Sequence, residues 1–242
     1  MQLYTVRDET AKDYAGTVRK VAEIGYSGVE FAGFGDLSME AVRALLDETH
    51  LRPAGAHIGL GNLQQDIQRL IDDQLALGNH YVTLGGIPAP TDADGWKKAG
   101  EMLSDYGRIL HEQGLTLGYH NHAHEFKQYD GVAALDLLLG NSDPRYLQSE
   151  LDVYWVTRGG EDPVAYINKY AGRFTFLHMK DMAPGEEQQF AEVGEGILDW
   201  PAIIAAGRAG GAQWFIVEQD VCQRPSLESA TISYNNLKRL TS

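Results

Sequence analysis

Short apolar, β-favouring runs recur eight times along this chain, at residues 3–5, 28–31, 53–57, 80–84, 115–120, 147–152, 174–178 and 214–218. Between them lie segments of helical period, over 14–24, 39–49, 63–77, 96–113, 132–139 and 163–170, with a short seventh over 200–208. Ser38, Asp130 and the pair Asp162-Pro163 stand at expected helix starts, and Gly25, Gly78, Gly114 and Gly140 follow expected helix ends. A strand followed each time by a helix cannot fold straight back on its predecessor, so the strands run parallel. Eight such units predict an α/β chain with a (β/α)8 TIM-barrel fold, spanning residues 1–242 as a single domain. The length of 242 residues suits that architecture, which typically needs about 250. A doubly wound open sheet would usually have fewer strands and often a glycine-rich phosphate loop after the first, and none follows residues 3–5.

A closed parallel barrel gathers all its strand carboxyl ends on one face, so side chains far apart in sequence can share one ion. Four of the runs end in groups suited to that: GYHNHAHEF (118–126), ELDVYW (150–155), FLHMKD (176–181) and FIVEQD (215–220). Asp152 suits a hard divalent cation, and Tyr154 and Trp155 after it can wall a sugar ring. A helix-capping role for Asp152 is disfavoured, because no helix is expected before Gly159-Gly160. His178 and Lys180 share a strand face, an imidazole ligand beside an ammonium able to hold an oxyanion. Glu218 leaves so apolar a run that a bound cation or close partner is expected to offset its burial. His120, His122 and His124 alternate, and Glu125 can fold back over the site. Glu30, His57, Tyr4 and Arg7 sit at other strand ends or the loop after the first, placed for substrate contact. The segment 192–196 (EVGEG), with Glu192, reads as a flexible flap over the site, within a long loop over 182–199.

Composition narrows the function classes. The formal net charge is −14, which disfavours a duplex-binding surface and attraction to anionic membranes. Cys222 is the one cysteine, so no intrachain disulfide forms and a reducing compartment is expected. Neither a signal peptide nor a bilayer-spanning apolar run is visible, so the expected location is cytoplasmic.

Taken in order, QLYTVRDE (2–9), GVEF (28–31), YHNHAHEF (119–126), LDVYW (151–155), HMKD (178–181), EVGEGILDW (192–200) and VEQD (217–220) resemble the xylose-isomerase-like barrel superfamily. The likeness covers essentially the whole chain and is to the sugar phosphate isomerase/epimerase branch, related to inosose dehydratase and tagatose epimerase. It implies one divalent metal ion, commonly Mn, Co, Mg or Zn, held by Glu, Asp, His and Glu from the fifth to eighth strands. Asp152, His178 and Glu218 match the last three. Where many relatives have Glu followed by Asn or Pro, this chain has His120 and Asn121. Either His120 is the fourth ligand, which its rigid strand end favours, or Glu125 reaches in from the loop.

The activity implied is isomerisation or epimerisation of a sugar or polyol carbonyl compound through an enediolate. Glu218 would be the base or its partner, with Glu125, His120 or His122 opposite and Lys180 stabilising the charge. The branch resembling inosose dehydratase also has His at the fifth strand, which keeps a lyase or dehydratase open, including cleavage of 3-keto-glycosides. A non-catalytic binding barrel is the reading from another class, and the acidic charge disfavours a nuclease. Substrate contacts are expected from Glu30, His57, Tyr4, Trp155 and Glu192. Exposed loops on relatives often support dimers, so a homodimer is allowed.

Overall fold

The computed structural model describes residues 1–241. Seven parallel strands lie side by side in sequence order: β1 (Gly28–Phe31), β2 (Arg52–Ile58), β3 (Tyr81–Leu84), β4 (Thr116–His120), β5 (Leu147–Asp152), β6 (Phe174–Met179) and β7 (Trp214–Val217). These correspond to the second to eighth expected strands. The first differs. Residues Leu3–Val6 form a 3-10 helix, which turns the buried Leu3 and Val6 to one side, as spacing by three does in that helix. Pairing falls instead to Met1 and Gln2. Gln2 N donates to Val217 O at 2.9 Å, and Glu30 N donates to Met1 O at 2.9 Å. Two residues therefore bridge β7 to β1 and nearly close the barrel.

Helices cover the outside. Tyr14–Ile24, Met39–Thr49 and Pro163–Lys169 begin at Asp13, Ser38 and Asp162, whose side chains accept backbone N–H groups of the first turn. Asp130 does not start a helix. It and Gly131, both with positive φ, turn a small hairpin between Gln128–Tyr129 and Val132–Ala133, and the helix begins at Ala134. An Asp-Gly pair is a hairpin signal before it is a cap. A final helix, Ser226–Thr241, packs against the start of the chain and Tyr14–Ile24. No helix among the described residues is long and apolar enough to cross a membrane.

Alternation along the strands decides what fills the barrel. Ala54, Phe176 and Ile216 form an apolar plug, with Tyr81 and Trp214 packed on it. Two residues beyond Phe176 and Ile216 stand His178 and Glu218, so a polar layer lies directly above the plug. Two glycines make room for that layer. A Cβ on Gly118 would sit 2.9 Å from Thr83 Oγ1, and one on Gly55 would sit 3.0 Å from Glu30 Oε1.

Outside the barrel, Gly107 lets the long helix Ala93–Glu112 approach the Tyr146 carbonyl so closely that a Cβ there would overlap it. The obstacle is backbone, which cannot swing aside. Gly107→Ala should therefore destabilise the protein by about 1–3 kcal/mol despite the helix-favouring residue gained, which thermal unfolding against the wild type would detect.

Candidate metal centre

At the carboxyl ends of β4, β5, β6 and β7 the chain brings His120, Asp152, His178 and Glu218 together, with one ligand atom from each lying within 4.8 Å of the others. All four are buried. The Asp152 carboxylate has two separate jobs. Contrary to the sequence expectation, the helix Val153–Arg158 follows at once, and Asp152 Oδ1 accepts the Trp155 N–H at 3.1 Å. Asp152 Oδ2 accepts no hydrogen bond. It lies 3.7 Å from His120 Nε2 and 4.0 Å from His178 Nδ1, with Lys180 Nζ 3.0 Å away but off the hydrogen-bonding direction.

Charge in this cage is concentrated. Lys180, buried, has Asp152, Glu218 and Asp220 carboxylate oxygens at 3.0, 2.9 and 2.9 Å. Its pKa is raised: burial disfavours the ammonium, but three carboxylates outweigh that. Burial likewise opposes ionisation of Glu218, yet Lys180 and His178 hold its carboxyl well below the usual range. Asp152 is pushed up to about 6, by burial foremost, against the attraction of Lys180. His178 Nδ1 faces Glu218 Oε2 at 2.9 Å. With no other cation between them, a proton must occupy that gap, and the carboxylates around it raise the His178 pKa despite burial. A divalent ion can take the place of that proton and serve the bare Asp152 oxygen too. Residues and group fit. A donor set of two imidazoles and two carboxylates suits Zn, Co or Mn better than Mg, which prefers oxygen alone.

Other expected site residues fall in different places. His57 stacks on His178 at 5.4 Å between ring centroids and lines the cavity above the cage. That cavity, about 310 Å³, also has Tyr4, His120, His122, Glu218 and Asp220 in its walls. It is at the small end for ligand sites, sized for one sugar ring. A larger cavity of about 470 Å³, lined by Asn62, Arg69 and Asp73, shares only His57 with it and holds none of the cage carboxylates. His122 is held down to about 4 by burial and then by Lys180, so it is neutral near pH 7. Trp155 lies beside both His122 and Lys180 but is not itself in the cavity wall.

Three further residues depart from expectation. Glu30 is fully buried beneath the cavity, between Gln2 Nε2 at 2.9 Å and His178 Nε2 at 2.8 Å, so it cannot reach a substrate hydroxyl. Glu125 turns away from the cage to accept from Tyr119 Oη and His122 N, each at 2.8 Å. Glu192 is absent from the cavity wall and pairs with Ser229 Oγ at 2.7 Å and Arg224 Nε at 3.2 Å. Sequence reading also missed Glu150, buried in the cage beside three histidines. Its signal was its place two residues before Asp152, on the same strand face.

The whole-chain likeness follows the geometry. A family model described as xylose isomerase-like TIM barrel matches residues 18–238. The chain belongs to that family. An inosose dehydratase of Clostridium beijerinckii is 23% identical over 171 residues, 64% of this chain and 54% of the relative. The chain thus spans about half the length of the curated relatives it matches. A sugar phosphate isomerase/epimerase structure from Parabacteroides distasonis superposes with a TM-score of 0.86 at 25% identity, covering 98% of this chain and 92% of that one. The IOLI protein, whose structure is described with a zinc atom, superposes with a TM-score of 0.77 at 13% identity, covering 100% and 97%.

The segment read as a flexible flap is tied down at Asp181. Its carboxylate accepts from Gly194 N at 2.9 Å, Gly196 N at 3.1 Å, Leu198 N at 3.3 Å, Met182 N at 2.8 Å and Trp200 Nε1 at 2.6 Å. Each buried donor left unpaired costs about 1–3 kcal/mol. Asp181→Ala should lower stability by at least about 2 kcal/mol on that scale and open residues 182–200 to limited proteolysis, both measurable on the purified variant.

Proposed function

We propose that this chain is a divalent-metal-dependent enzyme that removes the proton beside the carbonyl of a sugar or polyol and eliminates water from the product. The observation that carries this is the single glutamate in the cavity wall. Glu218 lines the cavity, while Glu125, which follows the fourth strand, faces away. Exchange of protons between two glutamates on opposite substrate faces therefore lacks one partner. Elimination needs only one strong base and one acid.

A bound divalent ion supplies Lewis acidity, lowering the pKa of the carbon acid beside a carbonyl. The ionised Glu218 takes the proton from the carbon. Lys180, protonated throughout, donates to the oxygen on which charge develops. Glu218, then carrying the proton taken from carbon, returns it to the departing hydroxyl, while Asp220, 2.9 Å from Lys180, helps to keep that ammonium charged. The C–O bond breaks, hydroxide and that proton leave as water, and a carbon–carbon double bond remains. The inosose dehydratase relatives support a substrate of this class. Isomerisation or epimerisation is the second reading, supported by the likeness to the Parabacteroides structure; neutral His122 would then return the proton on the other face.

Incubation of Mn-loaded protein with inososes and keto-sugars in deuterated water separates the readings by mass. Elimination yields a product lighter by one water, and isomerisation conserves mass apart from deuterium. Absence of both water loss and deuterium uptake across the panel would sink the enzyme reading. Glu218→Gln should lower turnover by about 10²–10⁴-fold, the usual worth of a general base. Lys180→Met should lower it by about 10²–10³-fold while metal content stays near the wild-type value.

Metal content tests the ligand set directly. Wild-type protein should take up one Zn or Mn per chain, and His178→Ala and Asp152→Asn should lose stoichiometric uptake without unfolding. His120→Ala should weaken binding, whereas Glu125→Gln should leave it unchanged. An exchange of those last two results, read by titration, would move the fourth ligand to Glu125.

A further inference from the structure

Glu150 has no part in the chemistry above, yet it is the most heavily partnered carboxylate in the cage. Its Oε1 lies 2.6 Å from His57 Nε2, 3.1 Å from His120 Nδ1 and 2.9 Å from His178 Nε2. Its Oε2 accepts the Thr83 hydroxyl at 2.7 Å, in the space left by the missing side chain of Gly118. An ionised carboxylate only accepts, so each ring nitrogen facing it must carry hydrogen. A neutral imidazole has one N–H and one lone pair. With hydrogen on His120 Nδ1 and His178 Nε2, and an ion in place of the proton between His178 Nδ1 and Glu218, the lone pairs fall on His120 Nε2 and His178 Nδ1. Those are the atoms turned towards Asp152 Oδ2 and Glu218 Oε2.

We propose that Glu150 is a positioning residue that sets the tautomer and ring orientation of His120 and His178 together, creating both nitrogen ligands of the metal site. The inference rests on the metal-binding reading above. A carboxylate that touches two ligands couples them: loosening it frees the His120 ring, while His178 Nε2 keeps Glu30 Oε2 at 2.8 Å as its second acceptor and is loosened less. His57 shares the same oxygen and closes the cage over it. The competing arrangement makes Glu150 itself a ligand, since His57, His120, Glu150 and His178 also offer atoms within 4.8 Å of one another. Against that, Glu150 Oε1 is already crowded by three ring nitrogens, whereas Asp152 Oδ2 has no hydrogen bond.

The test uses wild-type protein, Glu150→Gln, Thr83→Val and Asp152→Asn, with Zn affinity measured against a competing chelator. Ring ¹⁵N NMR of the Zn-loaded proteins reads the tautomers. Wild type should show hydrogen on His120 Nδ1 and His178 Nε2. Glu150→Gln should still bind one Zn per chain but about 10–100-fold more weakly, the usual effect of losing a partner that orients a ligand, with altered ring ¹⁵N shifts at both histidines. Thr83→Val, which keeps the volume and the carboxylate, should shift affinity the same way by less and serves if Glu150→Gln fails to fold. Wild-type affinity and ring shifts in both variants would overturn the proposal. So would loss of Zn from Glu150→Gln alongside retention in Asp152→Asn, which would make Glu150 a ligand. Failure of the wild type to take up Zn would overturn the metal reading and this inference together, whereas normal wild-type uptake confines any failure to Glu150.

Discussion

Five carboxylates, those of Glu30, Glu150, Asp152, Glu218 and Asp220, crowd together at the carboxyl ends of the strands, the first four buried, and mutual compensation is what the rest of the site depends on. Ionised carboxylates buried without partners would each cost several kcal/mol. Here Lys180 serves Asp152, Glu218 and Asp220, while His178 bridges Glu218 on one side to Glu30 and Glu150 on the other. Hydrogen bonds satisfy most of the cage's atoms, but Glu30 Oε1 low in the cage and Asp152 Oδ2 higher up accept none, the latter facing the Lys180 ammonium at 3.0 Å.

Much of this was legible in the sequence because barrel geometry is repetitive. Strand ends at His120, Asp152, His178 and Glu218 could be read from apolar runs that stop at a polar residue, and a parallel closed sheet requires such ends to converge. Lys180 followed from alternation with His178. The family resemblance added the expectation of a metal. Where local pattern stood alone, it misled. Residues 3–5 have the composition of a strand, yet spacing by three lets Leu3 and Val6 bury together, and the pairing slips back to Met1 and Gln2.

Other features were illegible for a definite reason. Whether Glu125 points into the cage or towards Tyr119 depends on a 3-10 turn, Ala123–Phe126, that changes its direction relative to the strand before it. Glu30 carries a strand-end signature like that of Glu218, but its carboxylate is taken up by Gln2 and His178 in the buried cage. Asp181 looked like part of the HMKD site motif, whereas its carboxylate spends itself on the backbone of the following loop. Sequence alternation gives the face on which a residue stands. The height along the barrel comes from the register of neighbouring strands, which no single segment encodes.

The two-residue stave has a consequence for how the protein folds. Gln2 hydrogen-bonds to Val217, so the seam is closed by contacts between segments almost as far apart as the chain permits. Contacts of that separation are slow to form, because the entropy of a very large loop must be lost before they stabilise anything. The seven strands can pair from neighbour to neighbour and the stave can pair with β1 early, but the seam to β7 closes only once β7 is in place. Glu30 and Glu218 stand on the two sides of that seam. A partly folded chain with an open seam would present its acidic groups to water, lightly perturbed and unable to hold an ion in concert. Completion of the barrel and assembly of the charged cage are therefore a single late event, and a metal that prefers the finished cage would act on the slowest step of folding by trapping its product.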